Sequence, residues 1–176
     1  MKIPYCIAER RVWAGLSTFE LSVRAVLPPD VGAQVEFALV SAEADGPRVR
    51  ARHAVPVSLA LSVAEIVQHV VSETAARIEL APEPSAADGV LSEGLVSVTS
   101  NGYARVYSTR NAEAQVFVLI ERGDTAKGRC DVLAMLPFAR ALELRAAIED
   151  VAHVALAFRR LELPRGPDLG GLAVAT

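Results

Sequence analysis

The sequence predicts an α+β protein built from two similar antiparallel β-β-β-β-α units packed around two amphipathic helices. Three observations carry this reading. Two long segments have helical periodicity, "LSVAEIVQHVVSETAARIEL" and "LPFARALELRAAIEDVAHVALAFRR". Most of the remainder alternates with a period of two, the pattern of half-buried strands. The succession of four strand-like segments and a helix occurs twice, with the aperiodic stretch "APEPSAADG" between. The repeat is in patterning, with a length of about 75 to 80 residues. It divides the chain into a first unit (1–80), a linker (81–93), a second unit (94–160) and a Pro/Gly-rich tail (161–176) expected to be loosely ordered.

In the first unit, four strand-like segments lie within residues 3 to 55. Phe19, Leu21, Val23 and Ala25 face one way and Glu20, Ser22 and Arg24 the other; Val35, Phe37 and Leu39 repeat this against Gln34 and Glu36. The segment "RVRARHAV" places Arg48, Arg50 and Arg52 on one face and Val49, Ala51 and Val55 on the other. "PPDVG" and "ADGP" supply turn residues between strands, so hairpins are expected. Ser62, followed three residues later by Glu65, forms a capping box and predicts that the first helix starts there. Val63, Ile66, Val67, Val70, Val71 and Ile78 then make its apolar stripe.

The second unit repeats the order with "GLVSVTS", "YARVYST", "QVFVLIER" and "RCDVLAM". Pro137 suits the first turn of a helix, where its missing N–H would have had no partner. Ala141, Leu144, Ile148, Val151, Ala155 and Phe158 follow as a packed seam. Leu142, Ala146, Ala147, Val154 and Leu156 make this helix apolar over much of its circumference. A helix so clothed is covered on more than one side, which points to a homo-oligomer.

Composition narrows the function. With 52% hydrophobic and 22% charged residues in 176, the chain can bury a core without metals or disulfides. A net charge of -3 argues against a strongly basic nucleic-acid binder. Cys6 and Cys130 cannot build a disulfide framework and are expected as reduced core thiols in a cytoplasmic protein. No apolar run approaches the roughly 18 residues a bilayer span requires, so no membrane partner is expected.

The order of two four-strand-plus-helix units resembles Whirly domains and paired PUR repeats. That resemblance implies binding of single-stranded nucleic acid; it lies in element order and carries no motif residue by residue. The residues that suit such a role are Tyr103, Arg105 and Tyr107 in "YARVYSTR", which share one face of a strand, joined by Arg48, Arg50 and Arg52. The competing reading makes both sets the wet side of a sheet, with Glu20 or Glu36 pairing across strands.

Other chemistries find little support. "GDTAKGRC" has the glycine spacing of a phosphate loop but places Arg129 and Cys130 where Lys and Ser or Thr are needed, and is expected as a hairpin turn. His53, His69 and His153 lack metal-ligand spacing. No nucleophile motif surrounds Cys130, Asp131 or His53. No cofactor and no catalytic residue is assigned. The sequence therefore points first to a non-enzymatic binding or assembly module acting through protein partners or its own copies. Single-stranded nucleic-acid binding is the alternative, and an enzyme with a cleft between the halves is a third.

Overall fold

The computed structural model describes residues 5–13, 19–28, 31–43, 46–82, 89–97 and 102–162. The centre of the expected linker and the tail from residue 163 lie outside them. The first sheet comprises β1 (Tyr5–Trp13), β2 (Phe19–Leu27), β3 (Gln34–Glu43) and β4 (Gly46–Pro56), followed by α1 (Val57–Leu80). The second comprises β5 (Val90–Ser97), β6 (Gly102–Arg110), β7 (Val116–Asp124) and β8 (Arg129–Pro137), followed by α2 (Phe138–Glu162). Each sheet is an antiparallel meander in sequence order, which gives the expected α+β class. Both sheets carry a register irregularity between their first two strands and another between their last two.

Each helix starts where a strand ends, with no loop between. Pro56, in extended conformation at φ -54° and ψ 147°, closes β4 and precedes the first helical residue. Pro137 ends β8 in the same way, before the helix and not within its first turn. A proline at this point ends the strand's pairing without costing the helix a hydrogen bond. From Pro56 to Pro137 is 81 residues, slightly longer than the repeat read from patterning. Helix α1 thus begins five residues before Ser62, and the Ser62–Glu65 capping box is not its start. Strand-to-helix continuity at Pro56 overrides a local capping signal, because the turn before Ser62 is already packed through Val57 and Ala60.

The helices are exchanged between the units. α1 follows the first sheet but packs chiefly on β5 and β6, whereas α2 follows the second sheet and packs chiefly on β1 and β2. The two helices also run against one another. One continuous core results, joining Leu21, Val23 and Val35 to Val67, Val70, Val106, Val118, Leu136, Leu144, Ile148 and Val151.

Alanines at 60, 64, 141, 147, 152 and 155 are buried among them and leave room for the helices to lie against their neighbours. The same demand explains Gly94. It faces α1 in the middle of β5, where a β-carbon would lie 2.3 Å from Cγ2 of Ile66. Its position interrupts the alternation, and β5 accordingly starts at Val90, within the stretch the pattern assigns to the linker.

A buried polar group fixes α1 to the second sheet. The Thr74 hydroxyl lies 2.5 Å from that of Ser108 and 2.6 Å from the Val70 carbonyl; the Ser92 amide donates to Ser108 at 3.1 Å. Arg110, 6% exposed, donates to the carbonyls of Ala81 and Pro82 just beyond the C-terminal end of α1. Satisfied in this way, these groups specify register instead of destabilising the core.

Two expected core positions are exposed. Cys6 is exposed on the edge strand β1, its Sγ 3.5 Å from the Ala8 carbonyl, and the Cys130 side chain lies outside the described residues. Phe158, at the far end of the α2 seam, is 37% exposed. The remaining seam positions are buried, and Ile148 is fully so. Ile148→Ala should therefore cost about 2–5 kcal/mol of unfolding free energy by urea denaturation. Ile148→Asp should abolish the cooperative transition, since it buries an unpaired charge.

Candidate binding face on the second sheet

β6 owes its two-sidedness to strict alternation in "GYARVYSTR". Val106, Ser108 and Arg110 point into the core and are buried, while Tyr103, Arg105 and Tyr107 occupy the outer face and are half-buried. The sequence places these three together, and the structure agrees. Cross-strand pairing sets their neighbours: Tyr107 lies opposite Glu93 and Leu119, Arg105 opposite Leu95 and Glu121, and Tyr103 opposite Gly123.

The outer face is held by its own contacts. Arg105 donates to Glu93, with Nε at 2.9 Å, and its Nη1 lies 3.6 Å from Glu121. The guanidinium also stacks on Tyr107, 4.5 Å from the ring centroid. The Tyr107 hydroxyl donates to Glu121 at 2.7 Å. The hydrogen bond to Glu93 moves the Arg105 pKa further above its ordinary value, against the smaller opposing effect of burial.

Tyr103 lies over Gly123, where a β-carbon would come within 2.0 Å of its Cζ. Only glycine lets the ring settle onto the strand. Glu93, Glu121 and Gly123 are the residues of this face that pattern reading misses. The signal for them is cross-strand register, which a single strand does not contain; Gly123 in particular reads as part of a loop motif.

Arg48, Arg50 and Arg52 do not join this face. They belong to β4 in the other sheet, and β4 carries a register shift in its middle. Arg52 pairs with Ala38 and Arg48 with Ser41, positions on opposite faces of β3, while Arg50 sits unpaired at the irregularity. Alternation places all three on one side only if the strand is regular. The side chain of Arg50 lies outside the described residues.

The first sheet nevertheless has a related arrangement, built from other residues. Glu9 Oε1 accepts from Ser22 at 2.6 Å, from Arg24 Nη2 at 3.0 Å and from Arg11 Nε at 3.2 Å. Arg24 in turn lies 3.8 Å from Glu36, itself buried, and Arg11 lies 3.5 Å from Glu20. In both sheets, then, an arginine on the second strand sits between glutamates on the first and third. The expected pairing of Glu20 and Glu36 is present, with Arg11 and Arg24 as partners. Burial pushes the Glu9 carboxyl upward, but the Ser22 hydrogen bond and the neighbouring arginines outweigh it and hold the group below its ordinary value.

The remaining candidates disperse. "GDTAKGRC" closes the β7–β8 hairpin, with Asp124 Oδ1 accepting from the amides of Ala126 and Lys127, and no helix follows it. His69 is exposed on α1, 3.6 Å from Glu73, and His153 is exposed on α2. Among the described residues no three His, Cys, Asp or Glu side chains gather as a metal site. No helix among them is long and apolar enough to cross a membrane.

No family model matches the sequence, and no curated protein matches it. Among solved structures the chain is similar to WHY1 from Arabidopsis thaliana, with a TM-score of 0.36, 8% identity, and 90% of this chain and 94% of that one covered. It is also similar to the plant transcriptional regulator PBF-2, with a TM-score of 0.38, 11% identity and coverage of 92% and 87%. Each is a likeness of arrangement and assigns no residue a role.

Two outcomes follow from the geometry. Gly123→Val should lift Tyr103 from the sheet, shifting its ring resonances in NMR spectra, and cost about 1–3 kcal/mol of stability. The carboxylate of Glu9, with its folded pKa held below the ordinary 4.5, contributes stability that is present above that value and lost as pH falls through the folded one. Glu9→Gln should accordingly flatten the loss of stability in acid denaturation without altering its slope near neutrality.

Proposed function

We propose that the protein is a binding module that takes single-stranded nucleic acid on the outer face of its second sheet. The observation that carries this reading is the close grouping of Tyr103, Arg105 and Tyr107 on one strand, half-exposed and held in place before any ligand arrives. Two aromatic rings and a planar guanidinium side by side give π surfaces to bases of any identity, which is how single strands are held without sequence readout. Ordering these side chains in advance, through Gly123, Glu93 and Glu121, lowers the entropy lost on binding. The element order, which resembles two families that bind single strands, accords with it.

Local charge limits how such a ligand would be held. Two carboxylates face one guanidinium, so stacking rather than phosphate attraction supplies the affinity. The salt dependence is therefore shallow compared with that of a basic groove. A second reading is favoured by the same compensation and by Leu95, 61% exposed beside Arg105. Aromatic, apolar and internally paired charged groups together also suit a protein partner, including another copy of this chain.

Fluorescence anisotropy with labelled single-stranded DNA and RNA across a salt series separates the two. Saturable binding is expected, with an affinity loss of tenfold or more in the Tyr103→Ala, Tyr107→Ala double variant, given about 1–3 kcal/mol per stacked base. Tyr107→Phe keeps the ring and should keep most of the affinity. Absence of binding at low salt would overturn the nucleic-acid reading. Light scattering then tests the other, for which Leu95→Glu should reduce self-association.

A further inference from the structure

The inner faces of the two sheets meet at an apolar cavity of about 90 Å³ that the helices leave unfilled. Leu21 and Phe37 line it from the first sheet, Leu59 and Val63 from α1, and Ala104 and Ile120 from the second sheet. Leu21, Val63 and Ile120 are buried. The cavity lies behind the sheet whose outer face carries Tyr103 and Arg105, since Ala104 alternates between them. The two sites are therefore independent.

The polar side chains at its wall are His53 of β4 and Arg122 of β7, with Arg122 Nη1 3.0 Å from His53 Nδ1. A guanidinium only donates, so Nδ1 is the acceptor and this bond requires the ring nitrogen to be unprotonated. Arg122 thus differs from Arg24 and Arg105, each of which sits between two glutamates. Among the described side chains no carboxylate lies within ion-pair distance of Arg122; that of Asp131, opposite it on β8, lies outside them. Its partner among the described side chains is a neutral acceptor, which a better one can displace.

We infer that this cavity binds a short apolar monocarboxylate, its chain among Leu21, Phe37, Val63 and Ile120 and its carboxylate on Arg122. An apolar cavity attracts hydrocarbon, because filling it restores contacts its lining lacks. A guanidinium at the wall selects an anionic head through charge-assisted hydrogen bonds. The size sets the chain length: an engineered cavity of about 150 Å³ accommodates benzene, so this one takes a few carbons and excludes a lipid tail.

The test compares pentanoate, 1-pentanol and pentylamine by methyl NMR and thermal shift on the whole protein. Pentanoate should shift the methyl resonances of Leu59, Val63 and Ile120 saturably and raise Tm. Pentanol should bind at the same methyls about tenfold more weakly, the ratio expected when one charge-assisted hydrogen bond is lost. Pentylamine should bind more weakly still.

Arg122→Gln, at an exposed position, should bring pentanoate down to the level of pentanol and leave pentanol unchanged. Ala104→Val should reduce the binding of both by occupying the space. The inference is overturned if neither pentanoate nor pentanol shifts those methyls, if pentylamine matches pentanoate, or if Arg122→Gln weakens all three alike. That last result would show Arg122 to be structural.

Discussion

Each four-stranded sheet in this chain has one face that must leave water, and neither unit covers its own. A helix that is to fold back over the strand preceding it needs a connection of several residues in which to reverse. Here β4 passes into α1 at Pro56 and β8 into α2 at Pro137 with no residue to spare. The helices are carried across to the opposite sheets, α1 onto β5 and β6 and α2 onto β1 and β2, and Val67, Val70, Val106, Leu144, Ile148, Leu21 and Val23 share one core. The single core, the small residues between the helices and the glycine under Ile66 all follow from that exchange.

Because the helices occupy the inner faces, the outer faces are organised by the strands' own side chains. Both have been solved the same way, with an arginine on the second strand between glutamates on its neighbours. The second sheet then departs from the first. Opposite Glu9 stands Arg24, whereas opposite Glu93 stands Tyr107, and the aromatic pair has no counterpart among the described side chains of the first sheet. The two sheets repeat one arrangement, and among the described side chains the outer-face rings belong to the second.

The arginines of the second sheet show how surroundings assign a role to one side-chain type. Arg110, buried, satisfies carbonyls where α1 ends. Arg105 is neutralised by carboxylates and stiffens the outer face. Arg122 meets a histidine at the wall of an apolar cavity. The first satisfies backbone carbonyls, the second orders a surface, and the third is paired with a ring nitrogen.

Local patterning by itself determined the element types, their order, the duplication and the outward grouping of Tyr103, Arg105 and Tyr107. These depend on side-chain periodicity within a strand or helix, which is written along the chain. The tertiary structure decided what periodicity does not encode. A bulge in β4 split Arg48 from Arg52, because register belongs to a pair of strands. The start of α1 moved to Val57, because β4 runs straight into the helix at Pro56 and the turn before Ser62 is already packed. Glu93, Glu121 and Gly123 became neighbours of the tyrosines only once three strands lay side by side, and the cavity at Arg122 exists only because two sheets distant in sequence face one another.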